Sequence, residues 1–205
     1  MISVLKEQMP DERLIKISKI LSWILRHGVL ELKLTFMPDG YVPLTEVLAV
    51  KNLIPYGVTE ELIREIVRTD NKNRYSLLER DNGIWIRANQ GHNSAVGNKL
   101  NDEVMLTPIL EPLPVCVYGT TQKAWKTIQV EGLKPMSRKH IHFATSATAD
   151  ACGASMGISG IRPNAEVKIY IDMKSAMNDG IKFYASNNGV ILTESPILPK
   201  YFFLR

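Results

Sequence analysis

The run RYSLLERDNGIWIRAN at residues 74–89 constrains this chain more than any other stretch. Two apolar-rich segments flank Asp81-Asn82-Gly83, and Asn-Gly between such segments signals a β-hairpin, expected here with a type I′ turn. A hairpin must bury its apolar face against something, and the residues before it supply helices. Leu14, Ile17, Ile20, Leu21, Ile24 and Leu25 recur at helical spacing behind Asp11, a capping residue. After an Asp39-Gly40 turn and an extended piece at Tyr41-Val42, LTEVLAV reads as a second helix capped near Thr45. VTEELIREIVR reads as a third, with Thr59 as cap and Glu60 and Glu61 in its first turn. Three helices, a short strand and a terminal hairpin make a winged helix, a helix-turn-helix variant that often binds nucleic acid.

The periodicity then fades. Asn, Gly, Asp and Pro punctuate residues 93–113, which read as a connector. Strands dominate from residue 114 onward: PVCVY, HIHFAT, EVKIYID, IKFYA and GVILT, with one helix in GTTQKAWKTIQVEG that ends at Gly132. The expectation is an α+β chain, with a winged helix over 1–92, a connector over 93–113, and a second domain over 114–205. That second domain is built on a small, mostly antiparallel sheet.

Composition narrows the class without choosing a function. A chain of 205 residues with 45% hydrophobic and 22% charged residues is ordinary for a soluble globular protein. A net charge of +4 is compatible with an anionic ligand and also with none. Cys116 and Cys152 form neither a disulfide framework nor a zinc motif. The first residues carry Lys6, Glu7, Asp11 and Glu12 among apolar ones, unlike a signal peptide, and no apolar run reaches the ~20 residues that span a bilayer. The expectation is a cytoplasmic monomer with no membrane partner.

The sequence has no Walker loop, GxGxxG, HExxH or nucleophile elbow, and GASMGISG lacks the strand-before, helix-after context of a dinucleotide loop. No metal site is expected. The conspicuous polar groups are cationic: Arg26-His27 at the end of the first helix, Arg74, RANQGH at 87–92, and SRKHIHF at 137–143. Each has an ordinary explanation. Last-turn cations complement a helix dipole before a terminating Gly28. Arg74 could start a strand with its head in solvent, and Arg87 could pair with an acid on the hairpin. His140 and His142 alternate on one strand and so share a face. Taken together, however, such groups suit a multiply charged anion. Arginine's planar fork matches phosphate oxygens, and histidine moves protons near neutral pH.

Read in order, SKILSWILRHG, DGYVPLTEVL, TDNKNRYSL, IRANQGH, GLKPMSRKHIHFAT and NDGIKFYASNNGVILT resemble the NAD-dependent RNA 2′-phosphotransferase family over about residues 14–200. The resemblance implies an N-terminal winged helix followed by a domain like that of ADP-ribosyltransferase toxins. It implies a catalytic tetrad of Arg26, His27, Arg74 and Arg138 in the cleft between them. The implied substrate is 2′-phosphorylated RNA, with tRNA the expected class and NAD the co-substrate. In the implied reaction the 2′-phosphate displaces nicotinamide; a ribose hydroxyl then attacks phosphorus, releasing ADP-ribose 1″,2″-cyclic phosphate and repaired RNA. NAD contacts are expected from Tyr118, Gly119, Thr120, His142 and Val190, and RNA contacts from Asn89, Gln90 and His92. Tyr118 departs from the family's histidine, Ile191 from its usual Trp, and Ala144 from its frequent Ser. Two rival readings remain open. One is a nucleic-acid-binding module with a degenerate second domain. The other is an ADP-ribosyltransferase acting on protein or nucleic-acid phosphate ends; such enzymes commonly place a glutamate near the third motif, whereas Glu194 lies four residues beyond Val190, past the strand's catalytic position, which ranks this reading below the phosphotransferase.

Overall fold

The computed structural model describes residues 12–145, 161 and 165–203. The Asp11 cap, the loop GASMGISG and Cys152 therefore lie outside the described residues. Helix α1 (Glu12–Trp23) buries Ile17 and Leu21 and runs directly into a π-helical turn, Ile24–Gly28. β1 (Val42–Pro43) leads into α2 (Leu44–Leu48), whose first turn follows Pro43 with no side-chain cap, so Thr45 is inside the helix. α3 (Glu60–Thr69) begins as its sequence indicates: the Thr59 hydroxyl accepts from the Leu62 N–H at 3.3 Å, and Ile63 and Ile66 face inward.

The hairpin forms from β2 (Tyr75–Arg80) and β3 (Gly83–Ala88), in register from Tyr75↔Ala88 to Arg80↔Gly83. Its turn is not type I′. That turn needs positive φ at both central residues, Asp81 and Asn82, whereas positive φ falls on Gly83 (116°). β3 pairs with β1 on its other edge, giving a sheet ordered β1-β3-β2. Ile17, Leu21, Ile24 and Leu25 from the first helix meet Val42, Ile63, Ile66 and Ile86 in one apolar cluster. Fully burying side chains of this size contributes about 1.5–3 kcal/mol each.

Residues 93–113 are more ordered than a connector reading suggests. Two short helices form, α4 (Ser94–Gly97) and α5 (Asp102–Met105), each capped by a preceding Asn, and β4 (Thr107–Ile109) joins a sheet. β5 (Val117–Thr120) begins later than PVCVY implies and runs through Gly119-Thr120. α6 (Gln122–Glu131) is capped by Thr121 and stopped by Gly132 at φ 82°. Then come β6 (Ile141–Phe143), β7 (Val167–Ile171), α7 (Met173–Asn178), β8 (Phe183–Ala185), β9 (Ile191–Thr193) and β10 (Phe202–Phe203). They make two antiparallel sheets, β10-β7-β5 and β4-β8-β9-β6, joined where Val117 and Ala144 exchange backbone hydrogen bonds. Phe143, Ile169, Phe183 and Ile191 fill the space between them. The chain is thus mixed helix and antiparallel sheet. No helix among the described residues is long and apolar enough to cross a membrane.

Candidate active site

The π-helical turn carries Arg26 and His27. A π turn adds a residue to a helical loop, and such insertions rotate the side chains that follow. Gly28 does not end the helix by a left-handed turn, since the next residue, Val29, keeps helical angles. Its hydrogen is needed for another reason: a Cβ there would lie 2.9 Å from the Trp23 ring. Arg26 points back against segment 89–93. Its guanidinium lies over Gly91, whose positive φ (90°) and missing side chain leave room for it, and its carbonyl accepts from the Asn93 N–H at 3.1 Å. Arg26 Nε is buried without a hydrogen-bond partner.

Arg74 starts the hairpin, but its head is not simply in solvent. Asp70, at the C-terminus of α3, accepts from both the Arg74 backbone N–H and its guanidinium. Arg74 also lines a cleft of about 540 Å³ between α1 and α3, together with Lys19, Ser22 and Asn71. The Arg138 backbone is bridged to Asn93 on the same segment that holds Arg26. Segment 89–94 is therefore the common support of these arginines. Asn89 works within it: its N–H donates to the Arg74 carbonyl at 2.8 Å, and its side chain is spent on Ser76 and the Asn73 carbonyl, at 2.7 Å each. That makes Asn89 a holder of Arg74 rather than an open contact. Gln90 is half-buried beside it.

The charges sense one another. Burial, opposed by Tyr75 and aided by Arg138 and Arg74, moves Arg26 below its ordinary value. His27 is exposed yet also held below its ordinary value, by desolvation and then by Arg26 and Arg138, which favours its neutral, proton-accepting form. His92 and His142 are pushed down to about 3, mainly by burial and then by the neighbouring cations, and the Nε2 of each is buried without a partner. Arg26, Arg74 and Arg138 are the cations of one electrostatically linked group, with His27, His92 and His142 beside them as neutral imidazoles, a composition that suits a phosphate-bearing ligand.

The remaining expected residues divide. Tyr118, Gly119 and Thr120 line a cleft of about 370 Å³ between the end of β5 and α6. The Tyr118 ring meets Phe143 edge-on at 6.1 Å. Val190 is not on an accessible wall: it is fully buried with Leu100, Met105 and Leu192. Arg87 pairs with no acid among the described residues; it donates to the Asp39 carbonyl at 2.9 Å and lies over the Tyr41 ring. His140 precedes β6 and bonds Asp102 at 2.9 Å, while His142 has no partner at Nε2. Asp102, His140 and Glu194 are grouped as metal ligands could be, but the Lys139 ammonium already bonds both carboxylates at 2.9 Å.

Sequence reading missed Asp70, Gly91 and Asp102. Asp70 had a usable signal, an acid four residues before an arginine at a helix end; the other two act through contacts distant in sequence.

The chain matches the RNA 2′-phosphotransferase, Tpt1 / KptA family over residues 12–195. It is similar to tRNA 2′-phosphotransferase 1 of Mus musculus, 42% identical over 201 residues covering 94% of this chain and 76% of that protein. It is also similar to tRNA 2′-phosphotransferase 1 of Danio rerio, 36% identical over 185 residues covering 89% and 79%. For the tRNA 2′-phosphotransferase of Saccharomyces cerevisiae the figures are 36% over 192 residues, covering 90% and 80%.

Proposed function

Because this chain belongs to the Tpt1 / KptA family of RNA 2′-phosphotransferases, we propose that it removes the 2′-phosphate from RNA, tRNA above all, by transferring it to NAD. The observation that carries this reading is the convergence of Arg26, His27, Arg74 and Arg138, with the buried His92 and the part-buried His142, around one segment. We read residues 12–92 as the described part of a winged helix and residues 114–203 as an ADP-ribosyltransferase-like domain, with the reaction in the cleft between them.

The residues fit an NAD-sized ligand on two counts. The cleft at Tyr118, Gly119 and Thr120 is within the usual range for a small-molecule site, and His142, close enough to Arg138 and Arg26 to feel their charge, keeps a ring nitrogen unpartnered. When bound, NAD supplies an electrophilic ribose carbon with nicotinamide as leaving group, and a neighbouring hydroxyl for the second displacement. The chain's own part is electrostatic and acid–base. Arg26, Arg74 and Arg138 hold a dianionic phosphate close to a second anionic ligand and stabilise charge that develops on it. A well-placed contact of this kind is worth about 10²–10³ in rate. Asp70 keeps the Arg74 fork oriented. His27, favoured as neutral imidazole, takes the proton from the attacking hydroxyl. His92 stays neutral and offers a hydrogen bond without adding charge.

The test is a short 2′-phosphorylated RNA incubated with and without NAD, and with a metal chelator. Phosphate loss that depends on NAD and survives chelation is expected; equal loss without NAD would sink the reading. His27→Ala and Arg138→Ala are expected to accumulate ADP-ribosylated RNA, because the second displacement asks more of these groups than the first.

A further inference from the structure

Arg138 is an exposed residue on a short loop, yet its proposed task needs a fixed position. The backbone on either side is tied to the segment that holds Arg26: the Ser94 N–H donates to the Ser137 carbonyl at 3.1 Å, and the Lys139 N–H to the His92 carbonyl at 3.3 Å. The next two side chains then turn inward to a single carboxylate. Lys139 Nζ and His140 Nε2 each lie 2.9 Å from Asp102 Oδ2. Glu194 Oε1, beyond β9, takes a second bond from Lys139 Nζ at 2.9 Å. The aliphatic stem of Lys139 lies flat on α4, where a Cβ on Gly97 would be 2.6 Å from Lys139 Cβ. Side-chain exposures of 11% for Asp102 and 12% for Lys139 put this pair beneath the surface, with Glu194 half-exposed at its edge.

We propose that Asp102 is a positioning residue for Arg138: it grips Lys139 and His140 and so fixes the loop that presents the Arg138 guanidinium to the transferring phosphate. Asp102 also offsets the charge of Lys139, one more cation in a neighbourhood already crowded with them. The ammonium bridges the two carboxylates, so the cluster is a clamp. The hydrogen bonds of Asp102 go to Lys139 and His140 and to none of Arg26, His27, Arg74 or His92; beside a charge interaction with His92, its link to the site runs through residues 138–140. This rests on the role proposed above for Arg138.

The test is a double-mutant cycle on the full chain, with 2′-phosphorylated RNA and NAD, reading kcat, KM and the ADP-ribosylated RNA that accumulates. Asp102→Asn keeps size and removes charge. It is expected to lower kcat about 10- to 100-fold, the penalty of a displaced catalytic group, with the KM for NAD unmoved. It is also expected to accumulate the same RNA species as Arg138→Ala, and to add no further loss in the Arg138→Ala background. Asp102→Glu should recover part of the rate. If Asp102→Asn does not fold, the same cycle with Glu194→Gln decides, since that carboxylate is half-exposed; a severalfold loss absent from the Arg138→Ala background is expected. Parental kcat in the single variant, or losses that multiply in the double variant, would overturn the clamp while leaving the role of Arg138 intact. Parental activity in Arg138→Ala would overturn both.

Discussion

At the scale of the residue, Tyr118 is one of three positions, with Ala144 and Ile191, expected to depart from the family pattern, and the one of the three that lines the cleft beside Gly119 and Thr120. The structure gives its two ends different surroundings. The ring packs edge-on against Phe143 as part of the second apolar cluster, while the residue lines the cleft beside Gly119 and Thr120. Tyr118→Phe keeps the packing and removes the hydroxyl. If that hydroxyl contacts NAD, its loss costs about 0.5–1.5 kcal/mol, a severalfold rise in apparent KM for NAD at saturating RNA. Tyr118→His should retain or improve NAD use. Initial rates against NAD concentration for the three proteins decide the matter. A Tyr118→Phe protein that matches the parent beside a crippled Tyr118→His would make the tyrosine a packing residue.

At the scale of the element, segment 89–94 is where local sequence and distant contact meet. Gly91 holds a positive φ and carries the Arg26 guanidinium at a distance of 3.3 Å from a would-be Cβ. Gly57 also has positive φ, but nothing lies within 4 Å of its would-be Cβ. Alanine at either position should lower stability by about 1–2 kcal/mol through left-handed strain. Only Gly91→Ala should also cut kcat, because only there does the methyl group push a proposed catalytic arginine. Equal kcat in the two variants would show that Arg26 does not depend on this contact. The same segment shows what could be read from the chain and what could not. The Thr59 cap, the α1 and α3 stripes, the hairpin strands and the Gly132 stop are local signals, so they were legible. The pairing of β4 with β8 was not, since its three residues include Pro108 and gain their partner some 75 positions later. Nor was the π turn, which arises where Ile24 and Leu25 enter the core, Trp23 covers Gly28, and Arg26 is drawn toward Gly91. The arginines and histidines of the site were visible by type and order, but the acids that hold them were not. Asp70 and Asp102 look like ordinary helix-end residues until the fold brings their partners close.

At the scale of the molecule, the histidines of the proposed site should make the fold acid-sensitive. His92 and His142 titrate at about 3 in the folded chain against an ordinary 6.5, chiefly because burial penalises the charged form. The unfolded chain therefore binds more protons than the folded chain between those values. Stability is fully present above pH 6.5 and falls as pH drops from there toward 3. Each buried histidine contributes a slope of up to about 1.4 kcal/mol per pH unit. His27, also held below its ordinary value, adds in the same direction. Carboxylates held down by hydrogen bonds, Asp102 among them at about 2, lose their contribution only lower, below the ordinary carboxylate range. The interval from about pH 5 to 6.5 thus isolates the histidines. Urea unfolding followed across it should show stability declining with acid, and His92→Asn should remove about one proton's worth of the slope. A parent whose stability is flat over this interval would mean that these imidazoles are not held neutral by burial, and that the floor of the site is wetter than its packing indicates.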